Sequence, residues 1–178
     1  MSSEPQSAEL SGAQRRRMLK RLHHNAYRCK DSEETRKFYE DFLGLPLAKT
    51  LEISETKSGR KTHTLHTFYR MDDGSYLAFF EAPDIPFAFK QQHDYDLHIA
   101  LLVDYEVLEP MLAKAQKAGV ESRGIADHDF IHSIYLRDPN GYVIELTAKR
   151  PHHDQATDPA LNHARKKLDT WQAEKHQL

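Results

Sequence analysis

The chain has 178 residues, a formal net charge of −2 and a single cysteine, Cys29. This length suits one domain or two small modules that share a core, and the near-neutral charge excludes a strongly basic nucleic-acid or membrane surface. One cysteine excludes an intrachain disulfide. Together with the absence of an apolar N-terminal run, it favours a cytoplasmic protein without a membrane partner.

Composition divides the chain into three parts. Residues 1–18 are polar and are expected to form a flexible N-terminal extension. Residues 19–150 carry the apolar periodicity of a folded domain, and residues 151–178 form a polar tail with a helix that starts at Asp158 and Pro159. Prolines in the middle part indicate a linker between two modules, over about residues 20–85 and 95–149.

The first module is predicted to contain a strand, a helix and three further strands. The first strand covers residues 20–29, and the helix is capped by Asp31 or Ser32 and ends near Gly44. The later strands are predicted over residues 47–53, 62–71 and 75–81.

The second module repeats this order. A strand over residues 96–103 precedes a helix between Asp104 and Ala118, in which Pro110 predicts a late start because proline fits only the first turn. The later strands are predicted near residues 121–125, 132–137 and 142–148. Antiparallel runs after each helix favour an α+β fold of two βαβββ modules over a doubly wound parallel sheet.

A histidine begins the first strand of each module, and an acidic residue lies in the last strand. His24 and His98 occupy the first position, while Glu81 and Glu145 interrupt apolar strands. Imidazole and carboxylate groups are good ligands for divalent transition metals. Strand alternation lets His24, His98 and Glu145 converge if their strands line one concave sheet. Glu81 is a candidate fourth ligand.

These motifs resemble the vicinal oxygen chelate superfamily, which includes glyoxalase I, bleomycin and fosfomycin resistance proteins, and extradiol ring-cleaving dioxygenases. The resemblance covers residues 23–149, most of the chain. The segments that carry it are His24 with residues 38–44, residues 98–100 and residues 138–146.

The resemblance implies two βαβββ modules that form a cupped mixed sheet around one divalent metal ion. It implies that His24, His98 and Glu145 bind this metal, for which Fe(II) is favoured and Mn, Ni or Zn are alternatives. It further implies a small-molecule substrate and a homodimer.

The favoured reaction is extradiol-type cleavage of a small aromatic diol. Tyr135 lies ten residues before Glu145, a spacing similar to that of the active-site tyrosine of the dioxygenases, although a tyrosine packed on the sheet is an equal alternative. His128, just upstream, resembles their histidine that handles protons next to the metal. Phe68 and Phe79 are predicted pocket walls.

The first alternative is a glyoxalase-type lyase or isomerase that works through a metal-bound enediolate. Glu81 lies seventeen residues before His98, and Arg28 lies four after His24, both similar to glyoxalase I. Arg28 would then bind a carboxylate of the thiol cofactor. Residues 82–84 depart from the glyoxalase I pattern, which puts glutathione binding in doubt.

The second alternative is a binding module without catalysis, similar to the bleomycin resistance proteins, which sequester a drug and need no metal. The presence of every candidate metal ligand argues against this alternative.

Overall fold

The structure is a computed structural model that describes residues 20–175. The predicted extension over residues 1–18 therefore lies outside the described residues. The chain divides into two compact units between Phe87 and Ala88. None of the helices in the described range is both long and apolar enough to cross a membrane.

The first unit contains one mixed sheet and a helical segment. Its elements are β1 (Tyr27–Arg28), α1 (Ser32–Arg36), a π-helical continuation (Lys37–Phe42), β2 (Leu47–Glu55), β3 (Lys61–Arg70) and β4 (Tyr76–Glu81). The strand order is β1-β4-β3-β2, with β1 parallel to β4 and the other pairs antiparallel. β1 is shorter than predicted, because only an isolated bridge between His24 and Tyr76 extends its pairing toward the N-terminus.

One face of this sheet is buried under the helical segment. Asp31 caps α1 as predicted, since its side chain accepts a hydrogen bond from the Glu34 amide at 2.7 Å. Tyr39 packs on Phe79 with ring centroids 4.7 Å apart and on Tyr69 at 5.5 Å, and all three are fully buried. Burial of these aromatic rings stabilises this side of the sheet.

The second unit repeats the arrangement and adds two helices. Its elements are β5 (His98–Leu102), α2 (Tyr105–Lys117), β6 (Ser122–Asp127), β7 (Ile131–Arg137), β8 (Val143–Lys149), α3 (His153–Thr157) and α4 (Ala164–Glu174). The strand order is β5-β8-β7-β6, again with one parallel pair, β5 with β8. Both units thus follow the order strand, helix and three strands, and the predicted α+β fold is confirmed.

The late start predicted for the helix of the second module is wrong. α2 begins at Tyr105 and contains Pro110 inside it. Leu108 and Ala115 are completely buried on one side of the helix, so apolar burial offsets the hydrogen bond that the proline cannot donate.

The predicted start of the tail helix is also wrong. Asp158 ends α3, and its carboxylate accepts a hydrogen bond from the Ala160 amide at 2.8 Å, which forms a turn. The longer tail helix, α4, begins only at Ala164. An aspartate followed by proline favours a turn as readily as a helix start.

Strand register places the two candidate histidines at corresponding positions. In the second unit, Glu145 lies two residues beyond the strand partner of His98. In the first unit, the residue two beyond the strand partner of His24 is Ala78. The two sheets therefore share a topology, but only the second carries a carboxylate at this position.

Candidate metal centre

Glu145 is a buried carboxylate in the middle of β8. Glu145 is only 5% exposed, and an unpartnered carboxylate at a buried position would lower the stability of the fold. The Ser133 hydroxyl donates to Oε1, and the Tyr135 hydroxyl lies 3.3 Å from the same oxygen. These two contacts from β7 engage Oε1 and leave Oε2 facing His98.

His98 and Glu145 face each other across adjacent parallel strands. His98 Nε2 lies 3.4 Å from Glu145 Oε2, and His98 Nδ1 lies 3.2 Å from the carbonyl oxygen of Asp94. A carbonyl can only accept, so Nδ1 carries the proton and, in the neutral ring, Nε2 presents a lone pair to the carboxylate. Two electron-rich atoms at this distance attract a shared cation, so the pair fits a divalent metal ion.

Tyr135 connects this pair to His128. The Tyr135 hydroxyl lies 2.7 Å from His128 Nε2, and the guanidinium carbon of Arg123 lies 4.4 Å from the tyrosine ring centroid. Burial, and after it the negative charge of Glu145, raises the pKa of Tyr135. The phenol therefore stays protonated at neutral pH and can serve as a hydrogen-bond donor.

A cavity of about 180 Å³ opens beside Tyr135 in the second unit. Arg123 and Arg137 contribute to its lining, together with Asp94. The cavity gives a small molecule access to the part of the sheet that carries the tyrosine.

His24 lies in the first unit, in a cluster of aromatic and imidazole rings. Its ring centroid lies 5.6 Å from that of Phe68 and 6.4 Å from that of His66. His24 Nδ1 lies 2.8 Å from Nδ1 of His23, so one of these two rings donates to the other. Donation by His24 would leave its Nε2 free for a metal ion.

His66 shares this face and was missed by the sequence reasoning. It is 7% exposed, its Nδ1 lies 2.9 Å from the carbonyl oxygen of Phe79, and its ring stacks on Phe80 with centroids 3.6 Å apart. Burial lowers the pKa of His66, so the ring is neutral at pH 7. The signal was present, because His66 and Phe68 are two residues apart and so point to one side of β3.

Glu81 and Arg28 have other partners within the first unit. The Ser32 amide donates to Glu81 Oε2 at 2.8 Å, which places the carboxylate at the start of α1. Arg28 Nη2 donates to the carbonyl oxygen of Ile85 at 2.9 Å. These contacts engage Glu81 with the helix, so they favour the assignment in which it is not a metal ligand.

The two predicted pocket phenylalanines lie on opposite sides of the first sheet. Phe68 lies on the side of His24. Phe79 is fully buried against Tyr39, on the helix side. This placement argues against Phe79 as a pocket wall, whereas its neighbour Phe80 stacks on His66.

The structure thus brings together four of the predicted residues, all in the second unit: His98, Glu145, Tyr135 and His128. His24 belongs to the first unit. Among residues 20–175, no three histidine, cysteine, aspartate or glutamate side chains form a ready-made metal cluster. The joint ligand set of His24, His98 and Glu145 accordingly stays a prediction.

Comparison with known proteins identifies a family. Residues 21–146 match the family model of the Glyoxalase/Bleomycin resistance protein/Dioxygenase superfamily. This segment begins just before His24 and ends just after Glu145. A search of curated proteins found no match to the chain.

Solved structures of the same fold have low sequence identity to the chain. A glyoxylase/bleomycin resistance protein/dioxygenase domain from Frankia sp. EAN1pec matches with a TM-score of 0.61 and 16% identity, covering 74% of this chain and 99% of its own. The fosfomycin resistance protein FosX from Listeria monocytogenes, complexed with Mn(II) and sulfate, matches with a TM-score of 0.57 and 19% identity, covering 77% and 98%. A glyoxalase/dioxygenase from Nostoc punctiforme matches with a TM-score of 0.56 and 20% identity, covering 81% and 98%.

Proposed function

Because the chain belongs to the glyoxalase/bleomycin resistance protein/dioxygenase superfamily, we propose that it is a metal-dependent enzyme that cleaves the ring of a small aromatic diol. The observation that carries this proposal is the continuous series of contacts in the second unit. His128 lies 2.7 Å from the Tyr135 hydroxyl, which lies 3.3 Å from Glu145, which faces His98 at 3.4 Å. The two candidate metal ligands of the second unit are thereby adjacent to a phenol that can donate a hydrogen bond.

In this proposal, His24, His98 and Glu145 hold one divalent metal ion, with Fe(II) favoured over Mn, Ni or Zn. Two imidazoles and one carboxylate are the ligand set that leaves positions open on Fe(II). The metal, when bound, supplies Lewis acidity and a place for the substrate oxygens. The structure of FosX with Mn(II) supports a divalent ion in this fold.

Tyr135 orients the substrate when its hydroxyl turns its hydrogen bond from Glu145 Oε1, 3.3 Å away, to a substrate oxygen. Its raised pKa keeps the proton on the phenol at neutral pH. His128 fixes the direction of the hydroxyl through its contact at Nε2. A positioned donor of this kind typically contributes about 10²- to 10⁴-fold to the rate.

His66 lies on the same side of the first sheet as His24, and its Nδ1–H is committed to the carbonyl oxygen of Phe79 at 2.9 Å. The stacked ring of Phe80 and the nearby ring of Phe68 give this face the apolar surface that an aromatic substrate prefers.

The two alternatives receive less support. A glyoxalase-type reaction relies on Glu81 as ligand and base, whereas the carboxylate of Glu81 accepts the Ser32 amide at the start of α1. Binding a drug without a metal does not require a buried carboxylate that is held by hydrogen bonds, as Glu145 is. The predicted homodimer and cytoplasmic location remain part of the proposal.

The test is metal analysis of anaerobically purified protein, followed by oxygen-uptake measurements with a panel of catechols. We expect one iron per chain and catechol-dependent uptake. Tyr135→Phe should lower the catechol-dependent uptake. Its matched control is Tyr105→Phe, which alters an exposed tyrosine on α2 and should leave the uptake unchanged. Bound iron without oxygen uptake across the panel would contradict the dioxygenase proposal, and turnover of a hemithioacetal would favour the glyoxalase-type alternative.

A further inference from the structure

An ion-pair cluster outside the candidate ligand set surrounds Asp94, four residues before His98. Arg123 Nη2 lies 3.3 Å from one carboxylate oxygen of Asp94, and Arg137 Nη2 lies 3.3 Å from the other. Arg123 comes from β6 and Arg137 from β7. The carboxylate of Asp94 is therefore attached to two strands of the second sheet.

The backbone of Asp94 contacts the metal-binding candidate directly. Its carbonyl oxygen lies 3.2 Å from His98 Nδ1. Because the carbonyl only accepts, this contact selects the tautomer in which Nδ1 carries the proton and Nε2 carries the lone pair. Nε2 is the atom that faces Glu145 Oε2.

Both arginines are themselves fixed. Arg137 donates to the Gly141 carbonyl oxygen at 3.0 Å and pairs with Glu121 at 2.9 Å. Arg123 lies over the ring of Tyr135. The cluster thus joins the segment before β5 to strands β6 and β7.

We propose that Asp94, held by Arg123 and Arg137, is a positioning residue that sets the tautomer and orientation of His98 for metal binding. This inference rests on the proposed function, in which His98 is a ligand. Partners that orient a metal-bound histidine typically change metal affinity by about 10- to 100-fold when they are removed. A surface ion pair with a purely structural role would leave the affinity unchanged.

The experiment compares the full-length wild type with Asp94→Ala and the isosteric Asp94→Asn. Mn(II) is titrated by calorimetry, and the ring nitrogens of His98 are followed in the metal-free protein by long-range ¹H–¹⁵N spectra. We expect about tenfold weaker Mn(II) binding and a shift of the His98 signals from the Nδ1–H tautomer toward a mixture of tautomers. Asp94→Glu, which retains the charge, should restore part of the affinity.

Asp84→Ala is the matched control, because Asp84 pairs with Arg60 at 2.9 Å in the first unit and is not part of the candidate site. It should change neither the Mn(II) affinity nor the His98 spectrum. An Asp94 variant with an unchanged His98 tautomer, or with unchanged Mn(II) affinity, overturns the inference. A wild-type protein that binds no Mn(II) contradicts the proposed function instead, and the tautomer measured without metal still decides whether Asp94 positions His98.

Discussion

The first and second units place different residues at corresponding positions of the same four-stranded sheet. In the second unit, Tyr135 on β7 lies opposite Glu145 on β8. In the first unit, Phe68 on β3 lies opposite Ala78 on β4. A hydroxyl and a carboxylate in one sheet are thus replaced by an aromatic ring and a methyl group in the other.

The neighbouring positions differ in the same way. Ser133 lies opposite Thr147 in the second unit, whereas His66 lies opposite Phe80 in the first. The second unit offers two small hydroxyls, of which that of Ser133 donates to Glu145, and the first offers stacked rings. The comparison teaches that one topology can carry two surfaces, a hydrogen-bonded carboxylate in one unit and an imidazole within an aromatic surface in the other.

The largest expected effect comes from removing Glu145, the carboxylate at the position where the first unit has Ala78. Glu145→Gln should weaken metal binding by more than about 100-fold, because the loss of a direct ligand exceeds the loss of its supporting partners. The measurement is Mn(II) titration by calorimetry.

Glu81→Gln is the control from the corresponding strand of the first unit. It should bind Mn(II) as the wild type does, since Glu81 contacts the Ser32 amide. Equal losses of Mn(II) affinity in the two variants would contradict the different roles assigned to Glu145 and Glu81, and would favour a site with four ligands.

Next in size is the replacement of Tyr135 by the residue type that the first unit uses. Tyr135→Phe should lower kcat for a catechol about 100-fold while the metal content stays at the wild-type level, because only the hydroxyl donor is lost. Steady-state oxygen uptake and metal analysis provide both readouts. A kcat equal to that of the wild type in this variant would show that Tyr135 only packs on the sheet.

A smaller effect is expected for the hydroxyl that supports Glu145. Ser133→Ala leaves Oε1 with only the Tyr135 hydroxyl at 3.3 Å, so Mn(II) binding should weaken about tenfold. Ser75→Ala removes a buried hydroxyl bonded to Asp73 in the first unit and serves as the matched control. Equal Mn(II) affinity in the two variants would contradict the role of the Ser133 hydroxyl in supporting Glu145.

The smallest effect concerns how each unit holds its helix. Arg36 pairs with Glu33 at 2.9 Å and with Asp41 at 2.8 Å around α1, whereas α2 relies on apolar burial. The Arg36 guanidinium holds the pKa of both carboxyls below their usual values. Such depressed pKa values stabilise the fold at neutral pH, and the contribution is lost as the pH falls through the folded-state values.

Arg36→Ala should therefore lower Tm slightly at pH 7, and by less as the pH falls through the folded-state pKa values of the two carboxyls. Thermal melts from neutral to acid pH measure the difference, with Arg165→Ala, which breaks a pair on α4, as control. A difference in Tm that grows toward acid pH would contradict the assigned sign.

Much of the fold was predictable because alternation and turn residues are local signals. The histidine at the start of β5 and the glutamate within β8 follow from such patterns, and the helix cap at Asp31 follows from residue type. The position of Pro110 inside α2 was not predictable, because burial of Leu108 is a tertiary effect that overrides local preference.

The site was predictable only in part. Tyr135 and His128 were named from spacing, and the structure places them in contact. Glu81 accepts a hydrogen bond from the amide of Ser32, which is distant in sequence, and the carbonyl oxygen of Asp94 contacts His98 across a turn. Neither contact could be predicted from residue type. His66 was not predicted as a site residue although its spacing from Phe68 was visible, because the sequence does not show which of two alternating faces is open.

The central proposal is that His24 and His98 bind the same metal ion. Pulsed electron paramagnetic resonance of the Mn(II)-loaded protein measures this directly through the ¹⁴N couplings of bound imidazoles. The account predicts two coordinated imidazoles in the wild type and one in either His24→Ala or His98→Ala. Two coordinated imidazoles that persist in the His24→Ala variant, or none in the wild type, would contradict it.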